Sequence, residues 1–282
     1  MRPQLQLIDP SFQSQSSEKC DLLLNIGTAC ISYAIISTEG NKLRILSEIT
    51  IPNNLPETIS NTLEELIAEN EHLKQSFQKV VVSIDSNKFV FIPNEIYDQS
   101  KLTEYVKFLN PNKSDPVLTR NLNTRSIKNV FIVDSFLQSK VLAHYPKAII
   151  TSQANSFIEG NAKSLKIDLP YQLFLNIQAA TFEACLYLNN ELSFYNLIEY
   201  KTIEEFNYFL LAIITQFNLT APNTSVFLTG KINPGEELYT RIKKYFSKIK
   251  LADGDSLVDR NYIFHPVQSH TYFSLLSLTL CE

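Results

Sequence analysis

An internal repeat is the feature that most constrains the fold. The stretch LLLNIGTACISYAII followed by NKLRILSEI aligns with LFLNIQAATFEACLY followed by NELSFYNLI, which places Asn25 over Asn176. Each copy alternates apolar segments with short turns, as antiparallel strands do, and a segment with helical apolar spacing follows each copy. A duplicated unit of this length can bury its own core. We therefore predict an α/β protein with two similar tandem subdomains and mixed sheets rather than a repeat array.

The repeat also sets the predicted domain boundaries. Residues 1–20 are polar and rich in Gln and Ser, so we expect a loosely packed N-terminal lead-in. The first subdomain is predicted over residues 21–165, with a short polar insertion over 95–128, and the second over residues 166–282. Within the first subdomain, VVVSID is predicted to be a buried strand, and KFVFIP its hairpin partner.

Composition excludes several classes of protein. A net charge of −4 gives no electrostatic reason to expect a nucleic-acid partner. The longest apolar run, YFLLAIITQF, is too short to cross a bilayer, and the N-terminus lacks the apolar core of a signal peptide. The four cysteines show neither zinc-site spacing nor a disulfide framework. We expect a soluble cytoplasmic protein with no nucleic-acid partner and no direct membrane insertion.

Glycine is scarce in this chain. There are six glycines in 282 residues, where ordinary usage near 7% predicts roughly twenty. Nucleotide-binding loops use glycine for positive φ and for close approach of a ligand to the backbone. The shortage therefore weighs against several such loops in one chain.

Three stretches carry a resemblance to a known superfamily. The segment NIGTACISYAI resembles the first phosphate loop, D-x-G-T/S, of the actin/hexokinase/Hsp70 ATPases, and VFLTGKINPGEELYTRIKKYF resembles their adenosine loop. VVVSIDSNKFVFIP and the small middle segment resemble the FtsA and PilM branch. The whole layout is most similar to an actin-like family of Bacteroidetes that has no established activity. The resemblance implies two tandem RNase H-like (actin-like ATPase) subdomains.

The resemblance also implies the residues of a nucleotide site. The first-loop aspartate of the superfamily holds magnesium through water, and this sequence has Asn25 there. Gly27 and Thr28 match the pattern, so the turn is expected to offer backbone N–H groups and a hydroxyl to an anion. In the adenosine loop Gly230 matches, whereas Lys231 replaces the second glycine and would crowd an adenine ring. These five residues are the candidate cofactor-binding set.

The second phosphate loop departs further from the superfamily pattern. Its counterpart, NIQAAT from Asn176, has neither acid nor glycine, and no glycine occurs between Gly160 and Gly230. Phosphoryl transfer depends on positioning and on neutralisation of charge by the metal. With asparagine in place of both acids, we expect slow or absent hydrolysis.

Two carboxylates at predicted strand ends are further candidates for chemistry. Asp85 ends VSID and Asp134 ends FIVD, where open α/β sheets place ligands, so either could serve as a general base or a replacement metal ligand. The favoured interpretation of each is a cap on the turn or helix that follows. His265 and His270 have poor spacing for metal ligands on one helical face. We assign no catalytic residue and no metal site.

The sequence favours a degenerate ATPase fold, that is, a pseudo-ATPase that serves as a cytoplasmic protein-interaction or assembly module. The FtsA/PilM resemblance implies a protein partner. FtsA-like proteins end in a basic amphipathic helix, whereas this chain ends in SLTLCE, so we expect no membrane binding by that route. The alternatives are nucleotide binding without hydrolysis and a weak ATPase or small-molecule kinase that uses Asp85 or Asp134. No cofactor is assigned, and weakly bound ATP remains the alternative.

Overall fold

The computed structural model describes residues 3–12, 14–165 and 169–281. Contacts divide the chain into two compact units. The first unit contains the residues up to Glu159, Asp255–Pro266 and the chain from Leu275 onward, and the second contains Gly160–Gly254 and Val267–Ser274. Local sequence patterns do not predict the return of the chain to the first unit, because such contacts join residues far apart in sequence. The subdomain boundaries after residues 20 and 165 stay predictions.

The first unit contains nine of the described strands, three complete helices and the larger part of a fourth. The strands are β1 (Leu5–Ile8), β2 (Cys20–Ile26), β3 (Cys30–Ser37), β4 (Lys42–Thr50), β5 (Lys79–Ile84), β6 (Phe89–Pro93), β7 (Val117–Leu122), β8 (Ile127–Ile132) and β9 (Ile149–Ser152). The helices are α1 (Pro56–Glu69), α2 (Leu102–Val106), α3 (Ser135–His144) and α4 (Gln153–Ser164), which ends in the second unit.

The main sheet of the first unit is mixed, as predicted. Its strand order is β1-β4-β3-β2-β5-β9. The strands β2, β5 and β9 run parallel to one another, whereas β2, β3 and β4 form antiparallel hairpins. Apolar residues of α1 at helical spacing, Leu63, Leu66 and Ile67, join the sheet and α3 in one buried core.

The predicted partner of KFVFIP is wrong. Strand β6 pairs with β8 rather than with β5, and the order β6-β8-β7 makes a separate three-stranded sheet that packs on α2. Ser86 redirects the chain after β5, because its hydroxyl donates to the Ile132 carbonyl at 2.8 Å. Alternating apolar residues predict a strand but not its neighbour. The polar insertion predicted over 95–128 therefore contains β7 and α2 of this small subdomain.

The predicted loose packing of the N-terminal lead-in is wrong for residues 5–8. These residues form β1, which pairs antiparallel with β4 at the edge of the main sheet. Asp9 follows the strand and accepts a hydrogen bond from the Arg44 guanidinium at 2.7 Å. The alternation of polar and apolar residues in QLQLI is typical of an edge strand, and this signal was available in the sequence.

The second unit repeats the layout of the main sheet of the first. Its elements are β10 (Tyr171–Ile177), β11 (Thr181–Leu188), β12 (Glu191–Glu199), α5 (Ile203–Gln216), β13 (Thr224–Gly230), α6 (Glu237–Lys243), β14 (Lys248–Leu251) and the start of α7 (Phe273–Leu276), which ends in the first unit. The strand order is β12-β11-β10-β13-β14, with β10, β13 and β14 parallel. Helices α5 and α6 contribute Phe206, Leu210 and Ile242 to its core. The pattern of GEELYTRIKKYFSKI predicts a single helix, but α6 ends at Lys243 and β14 begins at Lys248.

Candidate functional site

The predicted phosphate turn of the first unit is a tight hairpin. Thr28 and Ala29 connect β2 to β3, and the Gly27 N–H donates to the Cys30 carbonyl at 3.0 Å. The backbone of Gly27 does not have positive φ, so conformation does not require glycine at this position. The limited space around it favours glycine. A Cβ on Gly27 would lie 3.1 Å from Asp85 Oδ2 and 3.1 Å from the Cys30 carbonyl oxygen.

Asp85 therefore lies directly beside the turn. It follows β5, and its backbone N–H donates to the Ile26 carbonyl at 3.0 Å, which continues the parallel pairing of β5 with β2. Burial raises the pKa of the Asp85 carboxyl to about 7, and among the described residues no hydrogen bond or charge offsets this effect. The capping interpretation is thus wrong for Asp85. It is confirmed for Asp134, whose carboxylate accepts the Leu137 N–H at 2.8 Å at the start of α3.

A row of polar residues crosses the main sheet of the first unit. Ser32, Asn25, Ser83 and Thr151 are consecutive register partners on β3, β2, β5 and β9, so their side chains lie on one face. Ser83 and Thr151 are almost fully buried, yet neither hydroxyl finds a hydrogen-bond partner in the part of the chain that the structure describes. An unpaired buried hydroxyl costs about 1–3 kcal/mol. This row therefore contains two buried hydroxyl groups that have no hydrogen-bond partner among the described residues.

The equivalent row in the second unit is fully paired. Asn176 is buried, and its amide nitrogen donates to Glu183 at 2.6 Å. The Asn176 amide oxygen accepts from the Thr229 hydroxyl at 3.1 Å and from Gln178 Nε2 at 3.2 Å. The second carboxylate oxygen of Glu183 accepts from the Tyr195 hydroxyl at 2.6 Å. Asn176, which stands where the resemblance places the acid of the second phosphate loop, is therefore already engaged in hydrogen bonds within its own unit.

The register makes the correspondence between the two units explicit. Asn25 pairs with Ser83, and Asn176 pairs with Thr229, so Asp85 and Lys231 occupy equivalent positions two residues further along. The backbone agrees, since the Lys231 N–H donates to the Ile177 carbonyl at 2.7 Å as Asp85 does to its own neighbour. The repeat carries opposite charges at these matched strand ends.

Gly230 has a structural requirement of its own. Its φ is +82°, and an added Cβ would lie 2.1 Å from the Ile177 carbonyl oxygen and 2.6 Å from Asn176 Oδ1. The glycine that the resemblance assigns to a nucleotide loop is thus needed for the close contact between β10 and β13. Its role in binding a cofactor, like that of Asn25, Gly27, Thr28 and Lys231, stays a prediction.

Sequence reasoning missed several residues of these two rows. The structure groups Gly27 with Asp85, and Gly230 with Asn176, but the sequence analysis did not identify Ser83, Glu183 and Tyr195. The repeat alignment could have found Ser83, because extending it places VVVSID over VFLTGK. The pairing of Glu183 with Tyr195 left no such signal, because it is a diagonal contact: the register partner of Glu183 is Leu197, and Tyr195 stands opposite Cys185.

The remaining candidates are the histidines and other possible metal ligands. His270 is buried, and its Nε2 lies 2.8 Å from the Ile232 carbonyl oxygen. Among the described residues, no group of three His, Cys, Asp or Glu side chains is arranged to hold a metal ion. Over the same residues, the structure has no helix with the length and apolar character of a membrane span.

The Asp85 environment predicts an unusual dependence of stability on pH. The pKa of its carboxyl is about 7 in the folded state and about 4 when unfolded. The folded state therefore binds the proton more tightly, and the stability that this group contributes is lost as the pH rises from 4 towards 7. The Asp85→Asn variant cannot ionise, so we expect it to be more stable than the wild type at pH 8 and to show a smaller difference at pH 5. Urea unfolding at both pH values measures this, and an identical pH dependence in both proteins would refute it.

Comparison with known proteins places this chain in a family. A family model described as protein of unknown function (DUF3822) matches residues 9–249. A protein with actin-like ATPase fold and unknown function from Bacteroides thetaiotaomicron superposes with a TM-score of 0.81 at 18% identity, covering 96% of this chain and 99% of that chain. A chain of the PilM–PilN type IV pilus biogenesis complex gives 0.69 at 12% identity, covering 92% and 97%. The search of curated proteins found no match.

A third structure has a more distant likeness. The ethanolamine utilization protein EutJ from Carboxydothermus hydrogenoformans superposes with a TM-score of 0.51 at 10% identity, covering 98% of this chain and 93% of that chain. At such identities the likenesses establish the fold alone, and they confirm the predicted actin-like architecture. With the family model matching most of its length, the chain belongs to the DUF3822 family and has the actin-like ATPase fold.

Proposed function

We propose that this chain is a pseudo-ATPase, an actin-like scaffold that binds a protein partner and does not hydrolyse nucleotide. The paired row of the second unit is the observation that carries the proposal. A magnesium–nucleotide pair needs carboxylate charge and free backbone at the phosphate loops. Asn176 is neutral, and its amide is already bonded to Glu183 and Thr229. The residues present do not fit such a pair.

The first unit supports the same proposal. Asn25 stands where the superfamily has its magnesium-facing acid, and the Gly27 N–H is already donated within the hairpin. The Asp85 carboxylate lies beside the turn, where its charge would repel a phosphate that is not bridged to it by a metal ion. A scaffold with these substitutions retains the shape of the fold while losing the groups that hold the metal.

The partner is the part of the proposal that rests on analogy. PilM has this fold and was solved together with PilN, so a protein of this architecture can serve an assembly through a protein contact. We propose the same use for this chain, in the cytoplasm. Crosslinking in the source cells, followed by mass spectrometry, should identify one partner that is captured in constant proportion to the chain. Recovery of the chain with no partner above background would count against this part.

A second candidate function is favoured by one observation. Asp85 is an acid with a pKa near neutrality at the carboxyl ends of parallel strands, which suits a general base in a weak ATPase or small-molecule kinase. Nucleotide binding without hydrolysis through Asn25, Gly27 and Thr28 is the milder form of this alternative. Asp134 is a poorer candidate than Asp85, because it is engaged as a helix cap.

Restoring the missing acid tests the proposal directly. We expect the Asn25→Asp variant, like the wild type, to release no phosphate from ATP in the presence of magnesium, because the second unit remains committed to internal pairs. Phosphate release is measured with and without magnesium, alongside thermal melting with millimolar ATP. The matched control is Asn121→Asp, which adds the same charge at an exposed position of β7. Magnesium-dependent turnover in the wild type or in Asn25→Asp alone would reject the pseudo-ATPase.

A further inference from the structure

The first unit has an unsatisfied acidic corner at the carboxyl ends of β2, β5 and β9. We define the Asp85 corner as Asn25, Ser83, Asp85 and Thr151. Asn25, Ser83 and Thr151 are register partners, and Asp85 lies two residues beyond Ser83, so the four side chains share one face of the sheet. Gly27 lies so close to Asp85 that even a Cβ there would be 3.1 Å from the carboxylate, so a ligand would reach Asp85 from another side.

The state of these groups points to a ligand. The hydroxyls of Ser83 and Thr151 are at most 1% exposed and lack a hydrogen-bond partner among the described residues. Asp85 and Asn25 are only half-buried, so they connect the corner to solvent. The equivalent residues of the second unit, Asn176 and Thr229, are fully paired. The fold can therefore satisfy this row internally, and the first unit does not.

The chemistry of the corner selects the kind of ligand. A carboxylate can only accept hydrogen bonds, while the hydroxyls and the amide oxygen can also accept them. An anion would be repelled by the charge of Asp85, and no basic side chain among the described residues shifts the pKa of this carboxyl. A primary ammonium group brings one positive charge and three N–H donors in a small volume, which complements a carboxylate that lies beside a neutral acceptor.

We propose that the Asp85 corner binds a primary ammonium group, carried by a lysine side chain of a protein partner or by a small free amine. The lysine form rests on the proposed function, since it names the chemistry by which the partner is recognised. The free-amine form does not depend on it. In both forms Asp85 makes the ion pair, and the neutral oxygen of Ser83, which lies between Asn25 and Thr151 in the row, accepts from the ammonium group.

Titrations of the whole chain with defined probes test the corner. The probes are n-butylammonium chloride, its neutral analogue n-butanol, and two capped tripeptides that are identical except for a central lysine or norleucine, all at constant ionic strength. Binding is followed by the amide NMR signals of Gly27 and Asp85. We expect saturable binding of the ammonium probes only, and roughly tenfold tighter binding at pH 8 than at pH 6, because Asp85 is mostly ionised only above pH 7.

Variants separate this site from adventitious surface binding. The Asp85→Asn variant should lose at least tenfold in affinity, whereas Glu95→Gln, which removes an exposed carboxylate, should leave it unchanged. Tighter binding of the lysine peptide than of butylammonium supports a partner lysine, and the reverse supports a free amine. Equal binding of the amine to the wild type and to Asp85→Asn would overturn the proposal. Displacement of the amine by magnesium that binds more tightly than the amine would also overturn it. ATP turnover is not among these readouts, so failure here leaves the pseudo-ATPase standing.

Discussion

Replacing Gly230 with alanine is expected to destabilise the second unit by roughly 4 kcal/mol. Two effects add at this position. The φ of +82° is strained for any residue with a Cβ. The Cβ would also lie 2.1 Å from the Ile177 carbonyl oxygen, so the backbones of β10 and β13 must separate. Because both strands lie in the middle of the sheet, this separation would break parallel hydrogen bonds on which its core depends.

Gly235 provides a matched control for Gly230. Its φ is +93°, yet an added Cβ would meet nothing within 4 Å, so Gly235→Ala carries the conformational strain without the clash. We expect it to cost only about 1 kcal/mol. Urea unfolding followed by circular dichroism measures both variants, since the chain has no tryptophan to report by fluorescence. Similar losses in the two variants would show that the contact with Ile177 is not the reason for glycine at position 230.

The Glu183→Ala variant is expected to lose a similar amount, about 4 kcal/mol. The substitution removes the acceptor for Asn176 Nδ2 and for the Tyr195 hydroxyl, each 2.6 Å away, and leaves both donors buried beside a cavity. Glu183→Gln preserves the shape, and the Tyr195 hydroxyl can reverse to donate to or accept from the amide. We expect this variant to lose only about 1–2 kcal/mol.

Unfolding by urea and amide hydrogen exchange across β10 and β11 test the network. Glu199→Ala is the control, because it removes an exposed glutamate from the same sheet and should change stability by less than about 0.5 kcal/mol. A small effect of Glu183→Ala would mean that the row of the second unit is not held by these bonds. The contrast with the unsatisfied row of the first unit would then lose its energetic basis.

The two rows show how a duplicated fold can diverge. Matched strands carry asparagine at matched positions, yet Glu183 satisfies Asn176 in one unit while a serine, Ser32, stands opposite Asn25 in the other. The longer side chain of Glu183 reaches Asn176 and accepts a hydrogen bond from it, whereas the structure shows no such bond between the described residues Ser32 and Asn25. The side chain on the neighbouring strand is therefore one of the differences between the structural network and the candidate binding site.

Short-range patterns predicted much of this protein. The repeat, the mixed sheets, the matched positions of Asn25 and Asn176, and the cap at Asp134 all follow from periodicity and residue type. These features depend on residues close in sequence, or on a comparison of two stretches of the same sequence. Local patterns therefore contain enough information to predict them.

Tertiary structure alone decided which strands pair and which polar groups find partners. It joined β6 to β8, returned the C-terminal segment to the first unit, bonded Tyr195 to Glu183, and set Asp85 against Gly27. Each of these outcomes depends on register and on the volume between elements far apart along the chain. Whether a buried asparagine or aspartate is satisfied is a property of that three-dimensional neighbourhood, and the identity of the residue does not contain it.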